Sequence, residues 1–153
     1  MTITSFLSKL LEHCGVNPSD IEIELVEDKE LMTVLLKLPE NESGAVIGFH
    51  GEVLDSIQRM LRVVFASSFE DKKIILDLNG YRQQRADKLK QITADAAGQV
   101  LQSGQPFTFR SFLPSYERFI VHSALSENTD FKDLESISSG DGHLRRLTIQ
   151  VKK

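Results

Sequence analysis

One cysteine, Cys14, stands in a chain of 153 residues, so no internal disulfide can form and a reducing compartment suits the sequence. Set on an apolar stripe, Cys14 reads as a small buried hydrophobe. No run approaches the roughly 20 apolar residues of a membrane span. The opening residues also lack a basic leader followed by a long apolar region, which points to a cytoplasmic protein without membrane insertion. Metal and phosphate-loop signatures are missing. His13, His50, His122 and His143 show no ligand spacing with one another or with Cys14, and there is no Gly-x-x-x-x-Gly-Lys-Ser/Thr segment. Glu22 and Glu24 read as solubilising acids on a wet strand face, and Asp141 lacks the companion acids of a calcium loop. The reading is therefore of a protein that is not an enzyme and has no cofactor.

Excess positive charge is lacking too, since the net charge is −4. Most affinity for a polyanion comes from neutralising phosphates, so this sum alone argues against a nucleic acid. The distribution reverses that inference for one half. Residues 1 to 79 hold 7 Lys+Arg against 14 Asp+Glu, a net −7, while residues 80 to 153 hold 11 against 8, a net +3. Whatever attraction a polyanion feels must come mainly from the second half. The remaining composition, 41% hydrophobic and 26% charged, is that of an ordinary folded domain or two small ones.

Periodicity divides the first half clearly. Phe6, Leu7, Leu10, Leu11 and Cys14 mark a helix over residues 5 to 14, closed by Gly15 and Pro18. Ile21, Ile23 and Leu25 alternate with acids, as do Met32, Val34, Leu36 and Leu38 with polar residues, giving hairpin strands at 21–26 and 31–38 with one wet face. Pro39 to Ser43 breaks the pattern. Val46-Ile47-Gly48-Phe49-His50-Gly51 then forms a loop at 48–51, whose glycines let backbone approach a ligand closely. A helix at 52–66 follows, with Val53, Leu54, Ile57, Met60, Leu61, Val64 and Phe65 on a broad stripe, and a strand at 73–78. Phe49 has two readings, a ring that stacks on a base or one that caps the core or a partner surface. His50 is either a cation in mildly acidic conditions or a solvated loop residue.

In the second half a helix from the Asn79-Gly80 turn runs to about Gln102, with Leu89, Ile92, Ala96, Ala97, Val100 and Leu101 inward. Arg82 and Arg85 lie three apart on one face. A short strand is expected over Phe107 to Ser111, then a helix opened by Pro114 that sets Arg118 and His122 one turn apart, with Ile120 and Val121 toward the core. A guanidinium beside an imidazole suits a phosphate approached from two directions. A strand at Leu134 to Ile137, a turn at Ser138 to Gly142 and a strand from Leu144 to Val151 with Arg145 and Arg146 complete the chain.

The first half resembles the type II, bacterial KH domain, through Val46-Ile47-Gly48-Phe49-His50-Gly51 followed by Leu54, Asp55, Ile57 and Gln58. The second is similar to the small domain named for its Arg-x3-His signature (R-3-H). It shows Asp77-x-x-Gly80-Tyr81-Arg82-x-x-Arg85, Tyr116-Glu117-Arg118-x-x-x-His122 and Ser138-x-Gly140-x-Gly142-x-x-Arg145-Arg146 in order. Together they resemble the Jag, or SpoIIIJ-associated, family. That resemblance implies an α/β (α+β) chain, with a KH domain at 1–79 whose mixed three-stranded sheet carries helices on one face, then an R-3-H domain at 80–153. It also implies binding of single-stranded RNA in an RNA-chaperone or post-transcriptional role linked to cell-envelope growth, and pairing with a small KH protein. The residues it marks are Gly48, Phe49, His50, Gly51, Arg118 and His122, then Arg82, Arg85, Arg145 and Arg146 as flanking phosphate contacts. Where relatives usually carry basic loop residues, a second arginine and an acid, this chain has Phe49 and His50, Phe119 and Ser139. A homodimer, an adaptor that binds protein through the acidic half, and a binder of single-stranded DNA are the competing readings.

Overall fold

In the computed structural model, which describes residues 1–69 and 72–153, the chain divides into two units, Met1–Arg82 and Gln83–Lys153. The fold is a mixed α+β arrangement of five α-helices and two three-stranded sheets among the described residues, one sheet in each unit. None of the helices among the described residues is long and apolar enough to cross a membrane.

In the first unit α1 (Ile3–His13) begins at a capping box, where the Thr2 hydroxyl accepts the Ser5 amide at 3.1 Å and Ser5 answers the Thr2 amide. Strands β1 (Glu22–Glu27) and β2 (Leu31–Lys37) pair antiparallel, and β3 (Lys73–Leu78) lies parallel to β2, giving the order β1-β2-β3. The parallel pair needs a crossover, supplied by α2 (Glu40–Ile47) and α3 (Glu52–Val64). Met32, Val34 and Leu36 of β2 and Ile74, Leu76 and Leu78 of β3 alternate into a core shared with Leu7, Leu11, Leu54 and Leu61.

The second unit starts within the first turn of α4 (Tyr81–Ser103). Its strands β4 (Phe107–Thr108), β5 (Leu134–Ser139) and β6 (Arg146–Val151) form an antiparallel sheet ordered β4-β6-β5. Helix α5 (Ser115–Glu127) follows Pro114. Leu89, Ala97 and Val100 of α4 and Val121 and Leu125 of α5 share one core with Leu147 and Ile149 of β6.

Several expectations need correction. Pro39 to Ser43 does end the strand pattern, since β2 stops at Lys37, but Pro39 stands at the N-cap position of α2, an unforeseen helix whose buried residues are Ser43 and Val46. Cys14 is exposed, because α1 ends at His13 and Cys14 is its C-cap, outside the regular helical stripe. The α3 stripe is wider than the core it meets, so Val53, Met60 and Val64 are exposed. β1 forms the expected hairpin with β2, but it is an edge strand with little burial on either face: Ile23 is only partly buried and Leu25 is exposed. Leu101 faces solvent, the strand near Phe107 ends at Thr108, and Leu144 sits exposed in a 3-10 turn before β6.

Candidate nucleic-acid interface

The Gly-x-x-Gly segment is a tight turn joining α2 to α3, and its backbone explains the residues it uses. Gly48 has φ 72° and ψ −174°, a region open essentially to glycine alone, and Gly51 has φ 83° and ψ 12°. Space adds a second demand. A Cβ at Gly48 would lie 2.4 Å from Cγ2 of Val53, and one at Gly51 would lie 3.2 Å from Cε1 of Tyr81. His50 is left-handed as well, with φ 51°. The Gly51 amide donates to the Gly48 carbonyl at 3.4 Å and the Glu52 amide to that of Phe49, so these two donors close the turn itself. Phe49 stands out at the tip, 59% exposed, its ring edge-on to His50 with centroids 4.1 Å apart. Glu52 and Asp55 occupy the first turn of α3, where they meet the positive end of the helix with protein charge.

The segment from Asp77 to Arg82 braces this turn. Asp77 accepts the Gly80 amide at 2.9 Å, and Asn79 spans Leu38 by accepting its amide at 3.1 Å and donating to its carbonyl at 2.8 Å. Leu38 lies just before the start of α2, so Asn79 fixes where the crossover leaves the sheet. Tyr81 then packs beneath Gly51. Arg82 donates to Asp55 at 2.7 Å and to Gln58 at 3.3 Å, and Gln58 also accepts the Leu76 amide at 2.9 Å.

In the second unit the exposed side of α5 carries Arg118 and His122, but their side chains diverge. Helical side chains lean toward the N-terminus, and the Arg118 guanidinium follows that lean to donate to the Leu113 carbonyl at 2.7 Å and to the Ser115 hydroxyl at 2.9 Å. His122 is instead held toward β5, its Nδ1 2.9 Å from the Ser136 hydroxyl. Arg118 and His122 therefore do not converge into the single two-sided clasp that their spacing suggests. Arg85 reaches into the unit and meets Glu117 through two bonds, Nε to Oε1 at 2.7 Å and Nη2 to Oε2 at 3.0 Å. Glu117 is 3% exposed, so this is a buried, two-point ion pair between α4 and α5. At the start of β6, Arg146 donates to the His143 carbonyl at 2.7 Å and that of Arg145 at 3.0 Å, while Arg145 is exposed. Arg146 pairs in register with Ser139, three residues along β5 from Ser136, and side chains alternate along a strand, so Arg146 leaves the sheet on the face opposite the one on which His122 meets Ser136.

Residues 87–150 match the R-3-H domain. The match spans α4 from its second turn, the β4-β6-β5 sheet and the whole of α5. Over a longer stretch the chain is homologous to proteins named RNA-binding protein KhpB. It is 30% identical to the one from Clostridium symbiosum over 88% of this chain and 58% of that protein. It is 26% identical to the one from Lactiplantibacillus plantarum over 77% of this chain and 36% of the relative. The Streptococcus pneumoniae D39 protein is 26% identical over 89% of this chain and 40% of its own length. The chain thus spans between about a third and three fifths of the length of these relatives.

Arg82 and Arg85 both lie just upstream of the matched segment, and each meets a carboxylate, Arg82 that of Asp55 and Arg85 that of Glu117. Glu117 itself is legible as a signal, because it shares the inward side of α5 with Ile120 and Val121, where an acid demands a partner. Asn79 and Ser136 have no comparable signal, since their partners lie 41 and 14 residues away in sequence. Tyr116 and Phe119, both exposed on α5, are further surface residues to which the motifs assign no contact.

Proposed function

We propose that the chain is a non-catalytic cytoplasmic protein that binds single-stranded RNA, with the R-3-H segment supplying most of the attraction. The observation that carries this reading is the R-3-H match over residues 87–150, within which half-buried Arg118 and exposed His122 stand one turn apart on α5. The relatives' printed name, RNA-binding protein, agrees with it. Arg118, His122, Arg145 and Arg146 contact phosphates, and Arg82 and Arg85 position the elements around them.

The first unit is proposed as a KH-type domain over residues 1–79, and residues 80–153 as the R-3-H domain. The helix, two strands, two helices joined by a Gly-x-x-Gly turn, and parallel third strand support that assignment. In it Gly48 and Gly51 let the nucleic-acid backbone approach, and Phe49 stacks on a base beside His50. The apolar stripe of Val53, Met60 and Val64 on α3 is where a small KH-type partner or a second copy would dock. The resemblance to the Jag family extends the proposal to a role as RNA chaperone or post-transcriptional regulator.

The test is binding of an unstructured RNA 12-mer at several ionic strengths to the wild type, to Arg118→Ala/His122→Ala and to Phe49→Asp/His50→Asp. Removing one phosphate neutralisation should reduce the log–log salt slope by about 0.7. The α5 double variant is expected to lose affinity and flatten the slope; the loop variant is expected to weaken binding through repulsion. A wild type that binds no RNA at low salt defeats the proposal, and a parallel DNA titration decides between the two sugars.

A further inference from the structure

Along α5, Tyr116, Phe119 and His122 recur at intervals of three residues, the spacing of one ridge of a helix. All three are exposed, Tyr116 by 57% and Phe119 by 65%. Successive members rise about 4.5 Å along the axis, with Cβ atoms about 5–6 Å apart. Stacked bases in a strand are about 3.4 Å apart, and an unpaired strand stretches beyond that. Ser115, Ser123 and Ser126 surround the ridge, Arg118 runs along one flank, and the His122 ring is fixed by its bond to Ser136. Aromatic faces set among hydroxyls and a guanidinium suit planar, polar-edged bases better than an aliphatic protein surface.

We infer that Tyr116 and Phe119, on the ridge that ends at His122, form a stacking platform for consecutive unpaired bases, with the strand's backbone running along the flank of Arg118 and His122. This rests on the proposed RNA binding and goes beyond it by assigning base contacts to two residues outside the Arg-x3-His pair. The same placement makes the second unit selective for single strands, because a paired base offers no open face to the ridge. It also makes part of the affinity insensitive to salt, since stacking releases no counterions.

The chain contains no tryptophan, so Phe119→Trp in the whole chain introduces a single indole reporter at the ridge. Titration with an unstructured RNA 12-mer is expected to quench that indole with affinity close to wild type. An abasic strand of equal length and charge is expected to leave it unquenched, and a duplex to bind more weakly. In a fluorescence-anisotropy titration of end-labelled RNA, Tyr116→Leu/Phe119→Leu is expected to weaken binding by about tenfold or more relative to wild type without changing the salt slope. Both are exposed positions, and circular dichroism confirms that the variants are folded.

The platform is overturned if RNA binds, and weakens on Arg118→Ala/His122→Ala, while the indole stays unquenched and the leucine variant binds like wild type. It is also overturned if the leucine variant changes the oligomeric state in gel filtration but not RNA binding, which marks the ridge as a protein contact. Absence of all RNA binding by the wild type instead defeats the underlying reading, and the platform with it.

Discussion

Substituting Gly48 by alanine tests whether the turn before α3 is dictated by backbone geometry or merely tolerates glycine. Two costs are separable. The first is conformational: φ 72° with ψ −174° is a region that a side chain reaches at about 1–3 kcal/mol. The second is steric: the new methyl would lie 2.4 Å from Val53 Cγ2 and 2.9 Å from Val53 Cβ, an overlap that overpacking data put at about 1–3 kcal/mol. Gly48→Ala is therefore expected to destabilise the first unit by about 4 kcal/mol. Val53 is partly exposed, so Val53→Ala alone should cost about 1 kcal/mol or less. In the double variant the steric part is relieved and about 1–2 kcal/mol returns, while the conformational part persists. Urea unfolding followed by the amide signals of Val34 and Leu76, both buried in that unit's core, reads the effect locally. A Gly48→Ala cost below about 1 kcal/mol, or no relief from Val53→Ala, would refute the reasoning.

Breaking the buried pair by Glu117→Ala should destabilise the second unit by about 3–5 kcal/mol, whereas Arg85→Met/Glu117→Leu should cost much less, because neither change leaves a charge without its partner; additive costs in urea denaturation would contradict a coupled pair. At the β1–β2 turn, the Glu30 and Leu31 amides donate to Asp28 and hold its carboxyl below the ordinary aspartate value. A lowered folded-state pKa contributes stability above the unfolded value, near pH 4, that disappears as pH falls through the lowered one. The stability gap between wild type and Asp28→Ala should therefore shrink on acidification below about pH 4, and an NMR titration placing Asp28 at or above a reference peptide would count against it.

What can be read in advance depends on how local each cause is. Strands β2 and β3 are legible because alternation and burial on one face are the same fact seen in sequence and in space. Helix α2 is hidden because Pro-Glu-Asn-Glu-Ser-Gly has the composition of a turn, and the helix buries so little that no apolar period announces it. The Gly-x-x-Gly turn is legible as a motif, but the cause of its first glycine, a clash with Val53, requires the path of α3. The ion pairs of Arg82 and Arg85 are hidden for the same reason, since a basic residue's spacing says nothing about an acid 27 or 32 residues away.

Those ion pairs change how the charge of the second half should be weighed. The count of basic residues treats every guanidinium as directed outward, yet Arg82 donates to Asp55, Arg85 to Glu117, Arg118 to Leu113 and Arg146 to His143. For Arg82 and Arg85 the partner is a carboxylate, so little net field from them reaches a phosphate. For Arg118 and Arg146 the acceptors are neutral carbonyls, which orient the guanidinium without cancelling its charge. The second pair can therefore attract an anion as the first cannot. If the proposed RNA contact is correct, its salt slope should respond to Arg118 and Arg146 and hardly at all to Arg82 and Arg85 in variants that remain folded. Tyr116 and Phe119 would then supply, through stacking, affinity that a smaller number of open charges does not.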